Sequence, residues 1–479
     1  MPSPVARLLH RTLAGGAMRV AAFNRARLAV PQQPHPFLSG IHAPMGQELT
    51  LENLPVEGRI PVELDGRYLR IGPNPVTPPH PGAYHWFVGD GMVHGVRLQG
   101  GRALWYRNRW VRSQAVSAAL GEPPAPGVRH GGSDTVNTNI LGHAGRTWAC
   151  VEAGAYPVEM GEELATVAHN PFGGSLQGSF SAHPHRDPVS GELHAICYDG
   201  RIQNQVRHVV VDRAGRVRRE EPIAVAHGPS IHDCMITPSY VLVLDLPVTF
   251  SLKTLLAGHA FPYTWNPDHP ARVGVLPLEG RGSDIVWCTV DPCYVFHPCN
   301  AFETTDGQVI VDVVAHASMF ADSTQGPDSR QSAFERWTID PVTHSVQRRV
   351  LDAEPQEFPR CDERRTGRPY RYAYTVPLAQ EGAALGARSY LLKHDLHTGE
   401  RACHAFGAQQ FPGEFVFVSR HADAAEDDGW LMGLVVDMAQ ETTALVILDA
   451  HDFTAPPLAR VHLPHRVPAG FHGNWVPAH

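Results

Sequence analysis

Four histidines stand out because each lies where an apolar run meets proline, aspartate or glycine. They are His183 in Ala182-His183-Pro184, His232 in Ile231-His232-Asp233, His297 in Phe296-His297-Pro298 and His472 in Phe471-His472-Gly473. Such a position is expected of a side chain at a strand end that points into a cavity. Imidazole nitrogen is a suitable ligand for divalent transition metals such as zinc, copper, iron and nickel. The four lie far apart in the chain, which excludes a His-Glu-x-x-His helix and requires a fold that brings remote elements together.

The elements that must position these histidines are predicted to be β-strands. Beyond about residue 50 the same local pattern recurs: a strand, a short turn rich in Gly, Asp or Thr, and another strand. One example is Val93–Leu98, which turns at Gln99-Gly100-Gly101 into Ala103–Trp110, and Gly supplies the dihedral angles that such hairpins need. Many hairpins over such a length favour a β-propeller over a single sandwich. The sequence therefore predicts an all-β protein whose loops converge on one axis.

Several segments resemble those of one known family and keep its order from about residue 50 to the C-terminus. They are Gly66-Arg67-Tyr68-Leu69-Arg70-Ile71-Gly72-Pro73-Asn74-Pro75, His85-Trp86-Phe87-Val88-Gly89-Asp90-Gly91, Asn137-Thr138-Asn139, Glu152-Ala153-Gly154, the four histidine segments, Asn300-Ala301-Phe302-Glu303 and Glu357-Phe358-Pro359-Arg360. In these segments the chain resembles the carotenoid cleavage oxygenases. The resemblance implies a seven-bladed β-propeller, with loops and short helices over the iron-bearing face, formed by residues 31–479 as one domain.

The resemblance also implies the site residues. Fe²⁺ would be held by His183, His232, His297 and His472, and three glutamates would hydrogen-bond the ligand imidazoles: Glu152, Glu357 and Glu414. Such carboxylates balance the metal charge and fix each ring's tautomer and orientation. At the third glutamate the chain departs from the family, because Phe415 stands where the family usually has proline.

The reaction that the resemblance implies is cleavage of a C=C double bond by O₂ to give two carbonyl products. A polyene has no polar group near the reacting carbons, so its register must come from tunnel length and aromatic walls. The aromatic residues next to the candidate site residues in sequence are Phe180, Phe296, Phe302, Phe358, Phe471 and Trp475. They are candidates for the walls of such a tunnel.

Three functions stay open on the sequence: a carotenoid or apocarotenoid dioxygenase, a stilbene- or phenylpropenoid-cleaving oxygenase, and a non-catalytic lipid-binding propeller. The phenolic branch of the family typically has lysine immediately before the first glutamate, where this chain has Val151. The missing cation favours the carotenoid interpretation. Tyr106 keeps the phenolic alternative in view, and the presence of all four histidines argues against the non-catalytic one.

Composition restricts the partners and the cellular compartment that this protein can have. The net charge of -8 gives no basic surface for nucleic acid. Eight cysteines without a Cys-x-x-Cys pair indicate reduced thiols and a cytoplasmic protein. No apolar run is long enough to span a membrane. Residues 1–30 carry five arginines and no acid, which leaves two interpretations open: a disordered or surface-packed N-terminus, which is favoured, and a basic amphipathic arm that contacts a membrane surface.

Overall fold

The structure is a computed structural model that describes residues 4–328, 331–379 and 388–478. Its strands, in chain order, are β1 (Thr50–Glu52), β2 (Val56–Gly58), β3 (Gly66–Pro73), β4 (Gly91–Gln99), β5 (Arg102–Trp110), β6 (Asn139–His143), β7 (Arg146–Cys150), β8 (Val158–Met160), β9 (Thr166–His169), β10 (His185–Arg186), β11 (Leu193–Asp199), β12 (Ile202–Val211), β13 (Val217–Ala224), β14 (Cys234–Ile236), β15 (Tyr240–Asp245), β16 (Val248–Phe250), β17 (Tyr263–Trp265), β18 (Arg272–Pro277), β19 (Val286–Thr289), β20 (Tyr294–Glu303), β21 (Val309–His316), β22 (Ser332–Asp340), β23 (Ser345–Asp352), β24 (Gln356–Arg360), β25 (Tyr372–Pro377), β26 (Tyr390–Asp395), β27 (Glu400–Ala405), β28 (Gln410–Pro412), β29 (Val416–Ser419), β30 (Gly429–Asp437), β31 (Thr442–Asp449), β32 (Ala459–Leu463) and β33 (Gly473–Pro477).

Helices are few in the described part of the chain. The α-helices there are α1 (Pro4–Arg25), α2 (Gln114–Leu120) and α3 (Leu252–Ala257), and the short 3₁₀ helices are Pro36–Leu38, Gly40–His42, Trp86–Val88, Gly282–Asp284 and Glu363–Arg365. Serine side chains cap the first turns of α2 and α3: Ser113 accepts from the N–H of Val116, and Ser251 from that of Thr254. None of these helices is long and apolar enough to cross a bilayer.

The strands form the all-β propeller that the sequence predicts. Five sheets of four to six strands are separate: β1-β5-β4-β3-β33, β6-β7-β8-β9, β10-β11-β12-β13, β24-β25-β26-β27, and β2-β32-β31-β30-β28 with β29 also on β30. The hairpin predicted at Gln99-Gly100-Gly101 joins β4 to β5, and both glycines have positive φ, at 55° and 73°. Positive φ costs a residue without Cβ little, which is why glycine occupies this turn.

The predicted count of seven separate blades is wrong. Beside the five separate sheets, the described strands form one eight-stranded sheet, β14-β15-β18-β19-β23-β22-β21-β20, and a two-stranded ribbon, β16-β17. The eight-stranded sheet has two antiparallel halves of four strands, joined only where Thr289 of β19 pairs in parallel with Ser345 of β23. Hairpin patterns in a sequence predict pairing within a unit, but they carry no information about a bridge between units.

Burial varies between the strands of a sheet. The strands β11 and β21 and the edge strand β14 are buried along their whole length. The edge strand β13, and β23 where the two halves of the eight-stranded sheet meet, are partly exposed. Inner strands are buried on both faces because neighbouring sheets pack against each other. The apolar core therefore fills the spaces between sheets around the ring, and the sheets' innermost edges are left to build a site.

Both chain ends close the ring. The C-terminal strand β33 pairs with β3, and the N-terminal strand β2 pairs with β32. Each closing sheet thus contains strands from opposite ends of the sequence. The N-terminal helix α1 packs on α3, where Asn24 Nδ2 donates to Leu256 O at 2.7 Å and Arg25 Nε to Gly258 O at 2.9 Å. The predicted arm of residues 1–30 begins in residues 1–3, which lie outside the described residues.

Candidate metal centre

The four predicted histidines lie on the innermost edges of three sheets. His183 precedes β10, His232 precedes β14, His472 precedes β33, and His297 lies within β20. Each of these strands is an edge strand of its sheet. The pairing of β20 with β21 is irregular on both sides of Pro298, which has no N–H to donate. Such a bulge redirects the neighbouring side chains, here that of His297.

The structure brings the four imidazoles together. One ligand nitrogen from each of them lies within 4.8 Å of those of the other three, and all four side chains are buried. The Nε2 atoms of His232 and His297 are 3.2 Å apart. The ring of His183 lies 4.4 Å from that of His232 and 4.6 Å from that of His472, measured between centroids. This is a convergent set of nitrogen donors from four remote parts of the chain.

The three predicted glutamates each face the outer nitrogen of one imidazole. Nδ1 of His232 lies 2.9 Å from Glu152 Oε1, Nδ1 of His297 lies 2.7 Å from Glu357 Oε2, and Nδ1 of His472 lies 3.0 Å from Glu414 Oε1. A carboxylate accepts a hydrogen bond, so each Nδ1 carries the proton. In a neutral ring the Nε2 lone pair is then free and faces the centre of the cluster.

The donor set fits a metal cation. Two Nε2 lone pairs at 3.2 Å repel each other unless a cation lies between them. Nε2 of His183 is buried without a hydrogen-bond partner among the described residues, which is costly unless the atom binds something else. Imidazole suits divalent iron, copper, nickel and zinc. The four histidines can therefore hold one such ion, and the carboxylates behind them offset its charge.

Burial and charge determine the protonation of this cluster. Burial, reinforced by the neighbouring imidazoles, lowers the pKa of His183 well below its ordinary value. Burial opposes ionisation of Glu414, but Arg360 and His472 outweigh it and lower its pKa to about 2. Burial would lower the pKa of His297, yet Glu357 outweighs it and raises that pKa. Glu357 and Glu414, whose pKa values are both lowered, thus stay charged and keep Nδ1 of His297 and of His472 protonated.

The backbone after two of the glutamates adopts an uncommon conformation. Ala153, next to Glu152, has φ of 67°, and Phe358, next to Glu357, has φ of 52°. Positive φ is unfavourable for residues with a Cβ and persists where surrounding contacts impose it. In both places the unfavourable conformation follows directly after a carboxylate that faces a ligand imidazole, so part of the backbone strain of the described chain lies beside the cluster.

An apolar cavity of about 380 Å³ opens on one side of the cluster and reaches His232, His297 and His472. Its aromatic walls are Trp86, Phe87, Tyr198, Phe250, Phe261, Tyr263, Phe296, Phe358 and Phe471. The ring of Phe87 contacts those of Phe261, Phe296 and Phe471 edge to face. Such a cavity suits a hydrocarbon-like ligand and excludes water from the cluster.

The aromatic predictions were partly right. Phe296, Phe358 and Phe471 line the cavity, but Phe180, Phe302 and Trp475 pack in the core between sheets. Val151 also lines the cavity. Tyr106 does not; it is fully buried between sheets, with its hydroxyl 2.9 Å from His94 Nδ1. The phenolic alternative therefore loses the residue that kept it in view.

Three residues near the cluster were not predicted. His316 Nε2 donates to Glu357 Oε1 at 2.7 Å, Arg360 Nη1 lies 3.3 Å from Glu414 Oε1, and Asp233 Oδ2 lies 3.7 Å from His183 Nδ1. His316 ends the apolar strand β21, where nothing in the sequence distinguishes it. Arg360 and Asp233 stand in the segments that carry the family resemblance and could have been suspected from their charge.

Comparison with known proteins identifies relatives along nearly the whole chain. Residues 42–477 match the family described as retinal pigment epithelial membrane protein. A carotenoid cleavage oxygenase from Mycobacterium tuberculosis is 44% identical, with 93% of this chain and 98% of that protein covered. This identity and coverage exceed what a shared fold alone would give.

Solved structures agree with the sequence relatives. The cobalt-substituted ACO from Synechocystis is 30% identical, with a TM-score of 0.80 over 91% of this chain and 97% of that chain. The lignostilbene dioxygenase from Pseudomonas brassicacearum is 27% identical, with a TM-score of 0.84 over 94% of this chain and 100% of that chain. Both structures therefore share the fold over more than nine-tenths of this chain.

Proposed function

This chain belongs to the carotenoid cleavage oxygenase family, and we propose that it is a non-haem iron(II) dioxygenase that cleaves one C=C double bond of a carotenoid or apocarotenoid. Each of the two aldehyde products would receive one oxygen atom of O₂. The observation that carries the proposal is the convergence of four buried imidazoles at the end of an aromatic cavity. Neither feature alone would specify the reaction.

In this proposal His183, His232, His297 and His472 hold Fe²⁺, and Glu152, Glu357 and Glu414 orient three of them. The bound ion supplies the activation of dioxygen. Because the ligands are neutral, the carboxylates behind them provide the charge balance, and their hydrogen bonds hold each Nδ1–H so that Nε2 faces inward. The protein's remaining work is to bind the alkene beside this centre and to keep water out.

The cavity supports a polyene as substrate. Phe87, Phe296 and Phe471 place ring faces and edges along the part of the cavity next to the histidines. A conjugated chain can lie along such walls without hydrogen bonds, and the double bond that reaches the metal is then set by the length of chain that fits. The absence of a cation at Val151 favours this apolar class of substrate.

A stilbene or phenylpropenoid is the second candidate substrate, and the likeness to the lignostilbene dioxygenase structure favours it. A lysine before Glu152 would stabilise an ionised phenol, but Val151 cannot. We therefore expect at most slow cleavage of a hydroxystilbene. A protein that binds a lipid in the cavity without reacting is the third candidate, and an absence of products from every substrate would support it.

The iron proposal is tested by reconstitution and product analysis. We expect one iron per chain after anaerobic loading, and at least a tenfold loss of iron affinity in His232→Ala, because one of four ligands is removed. His397→Ala, at an exposed turn, is the matched control. Incubation with a carotenoid, an apocarotenal and a hydroxystilbene, with aldehydes identified by mass, tests the substrate. A folded protein that takes up no iron would contradict the proposal, and cleavage of the stilbene alone would overturn the substrate.

We also propose that the N-terminal arm contacts a membrane surface, which would give access to lipid-dissolved substrate. Met18, Val20 and Phe23 on α1 are exposed, as is Leu252 at the start of α3. The segment after α3 lines the cavity through Ala260, Phe261 and Pro262. Exposed apolar residues on a basic helix are typical of interfacial binding. The exposed apolar residues of α1 and α3 therefore lie close in the fold to a segment that forms a wall of the cavity.

Vesicle co-sedimentation tests this contact. We expect the full chain to sediment with anionic phospholipid vesicles, and the double variant Val20→Ser, Phe23→Ser to sediment less. Val342→Ser and Val350→Ser, which change exposed valines on another part of the ring, form the control. Equal sedimentation of both double variants with the wild type would leave α1 no membrane role.

The cytoplasm is the proposed compartment. All eight cysteines are free thiols, and only Cys403 is exposed. Such a pattern suits a reducing environment, in which thiols persist without disulfides.

A further inference from the structure

One of the four candidate ligands lacks the glutamate that the other three have. His232, His297 and His472 each place Nδ1 within 3.0 Å of a glutamate oxygen. The outer nitrogen of His183 faces Asp233 instead, with 3.7 Å between Nδ1 and Oδ2. Asp233 directly follows His232 in the chain, so one short segment serves two ligands.

The surroundings of Asp233 repeat those of Glu357. Glu357 faces its ligand with one oxygen, accepts from His316 Nε2 at 2.7 Å with the other, and accepts from the next backbone N–H, that of Phe358, at 2.7 Å. Asp233 faces its ligand with Oδ2, and its Oδ1 accepts from His185 Nε2 at 2.7 Å and from the next backbone N–H, that of Cys234, at 2.6 Å.

The repeated pattern is a ligand imidazole, a carboxylate, and a second histidine that fixes the carboxylate. The gap to the ligand is 3.7 Å at Asp233 and 2.7 Å at Glu357. The side chain of aspartate is one methylene shorter than that of glutamate, which accounts for the longer distance between carboxylate and ligand at Asp233. Since Asp233 is buried, its charge needs partners, yet among the described residues Oδ2 accepts no hydrogen bond within normal distance.

This arrangement lies in a second cavity, on another side of the cluster. That cavity measures about 120 Å³ and is lined by His183, His185 and Asp233, and also by Arg360, Glu414 and Asn474. His297 and His472 border both cavities, His232 borders only the aromatic one, and His183 borders only this one. The walls of the second cavity are rich in charged and amide groups, unlike those of the aromatic cavity.

We propose that Asp233 is the positioning carboxylate of the fourth ligand, and that His185 holds Asp233 in place. This inference rests on the proposed iron site. It assigns to both residues a role in orienting His183, the one ligand that none of the three glutamates contacts. In this role the carboxylate of Asp233 lies 3.7 Å from His183 Nδ1 and favours the proton on that nitrogen, which leaves the Nε2 lone pair of that ring directed at the metal. His185 donates to the opposite oxygen and prevents the carboxylate from turning away.

The test measures ferrous-iron affinity by competition with a chelator, and the electron paramagnetic resonance spectrum of the nitric oxide adduct. We expect Asp233→Asn to lower the affinity about 10- to 100-fold and to change the spectrum. Asn can still accept from the Cys234 N–H, so the backbone contact survives. Asp233→Glu, which extends the reach, should restore most of the affinity, and His185→Ala should weaken binding more than His185→Gln.

The matched control is Asp245→Asn. Asp245 is fully buried, accepts from His269 Nε2 at 2.8 Å and lines neither cavity. The Asp245→Asn substitution should lower the free energy of unfolding without changing the iron affinity. Wild-type affinity and spectrum in Asp233→Asn, or changes no larger than those of Asp245→Asn, would overturn the inference. If His232→Ala and Glu152→Gln also retained iron, the iron proposal itself would fail, so the two failures can be told apart.

Discussion

At the scale of single residues, the candidate site depends on hydrogen bonds behind the ligands more than on the ligands alone. Glu357 has three hydrogen-bond partners, the same number as Glu414. It is buried and accepts from His297, His316 and the Phe358 N–H. Glu152 is more exposed, with 11% of its side chain accessible, and hydrogen-bonds only one imidazole. The two residues should therefore respond differently to the same substitution.

We expect Glu357→Gln to weaken both iron binding and the fold. The amide nitrogen of glutamine cannot accept a hydrogen bond, so one imidazole N–H loses its acceptor in a buried place. Such a loss costs about 1–3 kcal/mol of unfolding free energy, and a missing orienting carboxylate costs roughly 10- to 100-fold in metal affinity. Glu152→Gln should lower the affinity with a smaller effect on stability. Urea unfolding of the iron-free variants and iron titration separate the two effects.

An equal loss of stability in both variants would contradict this difference. The burial of Glu357 would then have no energetic consequence, and His316 would not depend on it. His316→Gln is the internal check, because it keeps a donor toward Glu357 and should retain most of the stability.

Residue types and motif order allowed the four histidines and three glutamates to be singled out from the sequence. The walls of the cavity were harder to predict. Adjacency to a ligand suggested Phe302 and Trp475, but alternate side chains of a strand point to opposite faces, and these two point into the core. Phe261 and Phe87 also line the cavity, although both are distant in sequence from every ligand histidine. Only the tertiary fold shows such a contact.

At the scale of elements, the ligands depend on how closely β3 and the chain before β33 approach each other. The N–H of Ile71 donates to His472 O at 3.0 Å, and that of Phe471 donates to Ile71 O at 2.9 Å. A Cβ on Gly72 would lie 2.4 Å from Gly470 Cα. Because the obstructing atom belongs to the backbone, no side-chain rotation can relieve the contact.

We expect Gly72→Ala to displace the segment that carries His472. The melting temperature should fall, and the iron affinity of the folded fraction should fall with it, since one ligand is moved. Gly161→Ala is the control, because the added Cβ meets only ordinary contacts of 3.6 Å or more and the backbone needs no positive φ. A Gly72→Ala protein with unchanged iron affinity would show that His472 is positioned independently of β3.

The blade count shows where prediction of elements from the sequence ends. Hairpin turns such as Gln99-Gly100-Gly101 are local, and they were predicted correctly. The parallel pair between Thr289 and Ser345 joins residues from two hairpin units, and no local signal marks it. The pairing of β33 with β3 joins the two ends of the chain in the same way. Local patterns thus gave the class of fold, and long-range pairing decided its division into sheets.

At the scale of the whole molecule, many histidines are buried without charge, and this makes stability depend on pH. Burial lowers the pKa of His85 and of His94 to about 3 each, and neighbouring histidines, together with Arg70 beside His94, lower it further. Burial also lowers the pKa of His194 to about 4, although Glu192 opposes it. None of the three lines the aromatic cavity. They therefore report on the fold and not on the candidate metal centre.

The sign of the effect follows from proton uptake. Below pH 6.5 the unfolded chain binds protons at these histidines, whereas the folded protein does not bind them until pH 3 to 4. The free energy of unfolding should therefore be highest above pH 6.5 and fall as pH decreases, by up to about 1.4 kcal/mol per pH unit for each histidine. Glu414, with a pKa of about 2 in the fold, adds its own loss only below about pH 4.5.

Urea unfolding of the iron-free protein between pH 5 and 7.5 measures this slope, because in that interval the buried histidines change charge on unfolding and Glu414 does not. We expect His94→Gln to reduce the slope by about 1 kcal/mol per pH unit, after its own change in stability is subtracted. Replacement of the exposed His397 by Gln is the control. A flat profile in the wild type would mean that these imidazoles accept protons within the fold, and that the interior between the sheets is open to water.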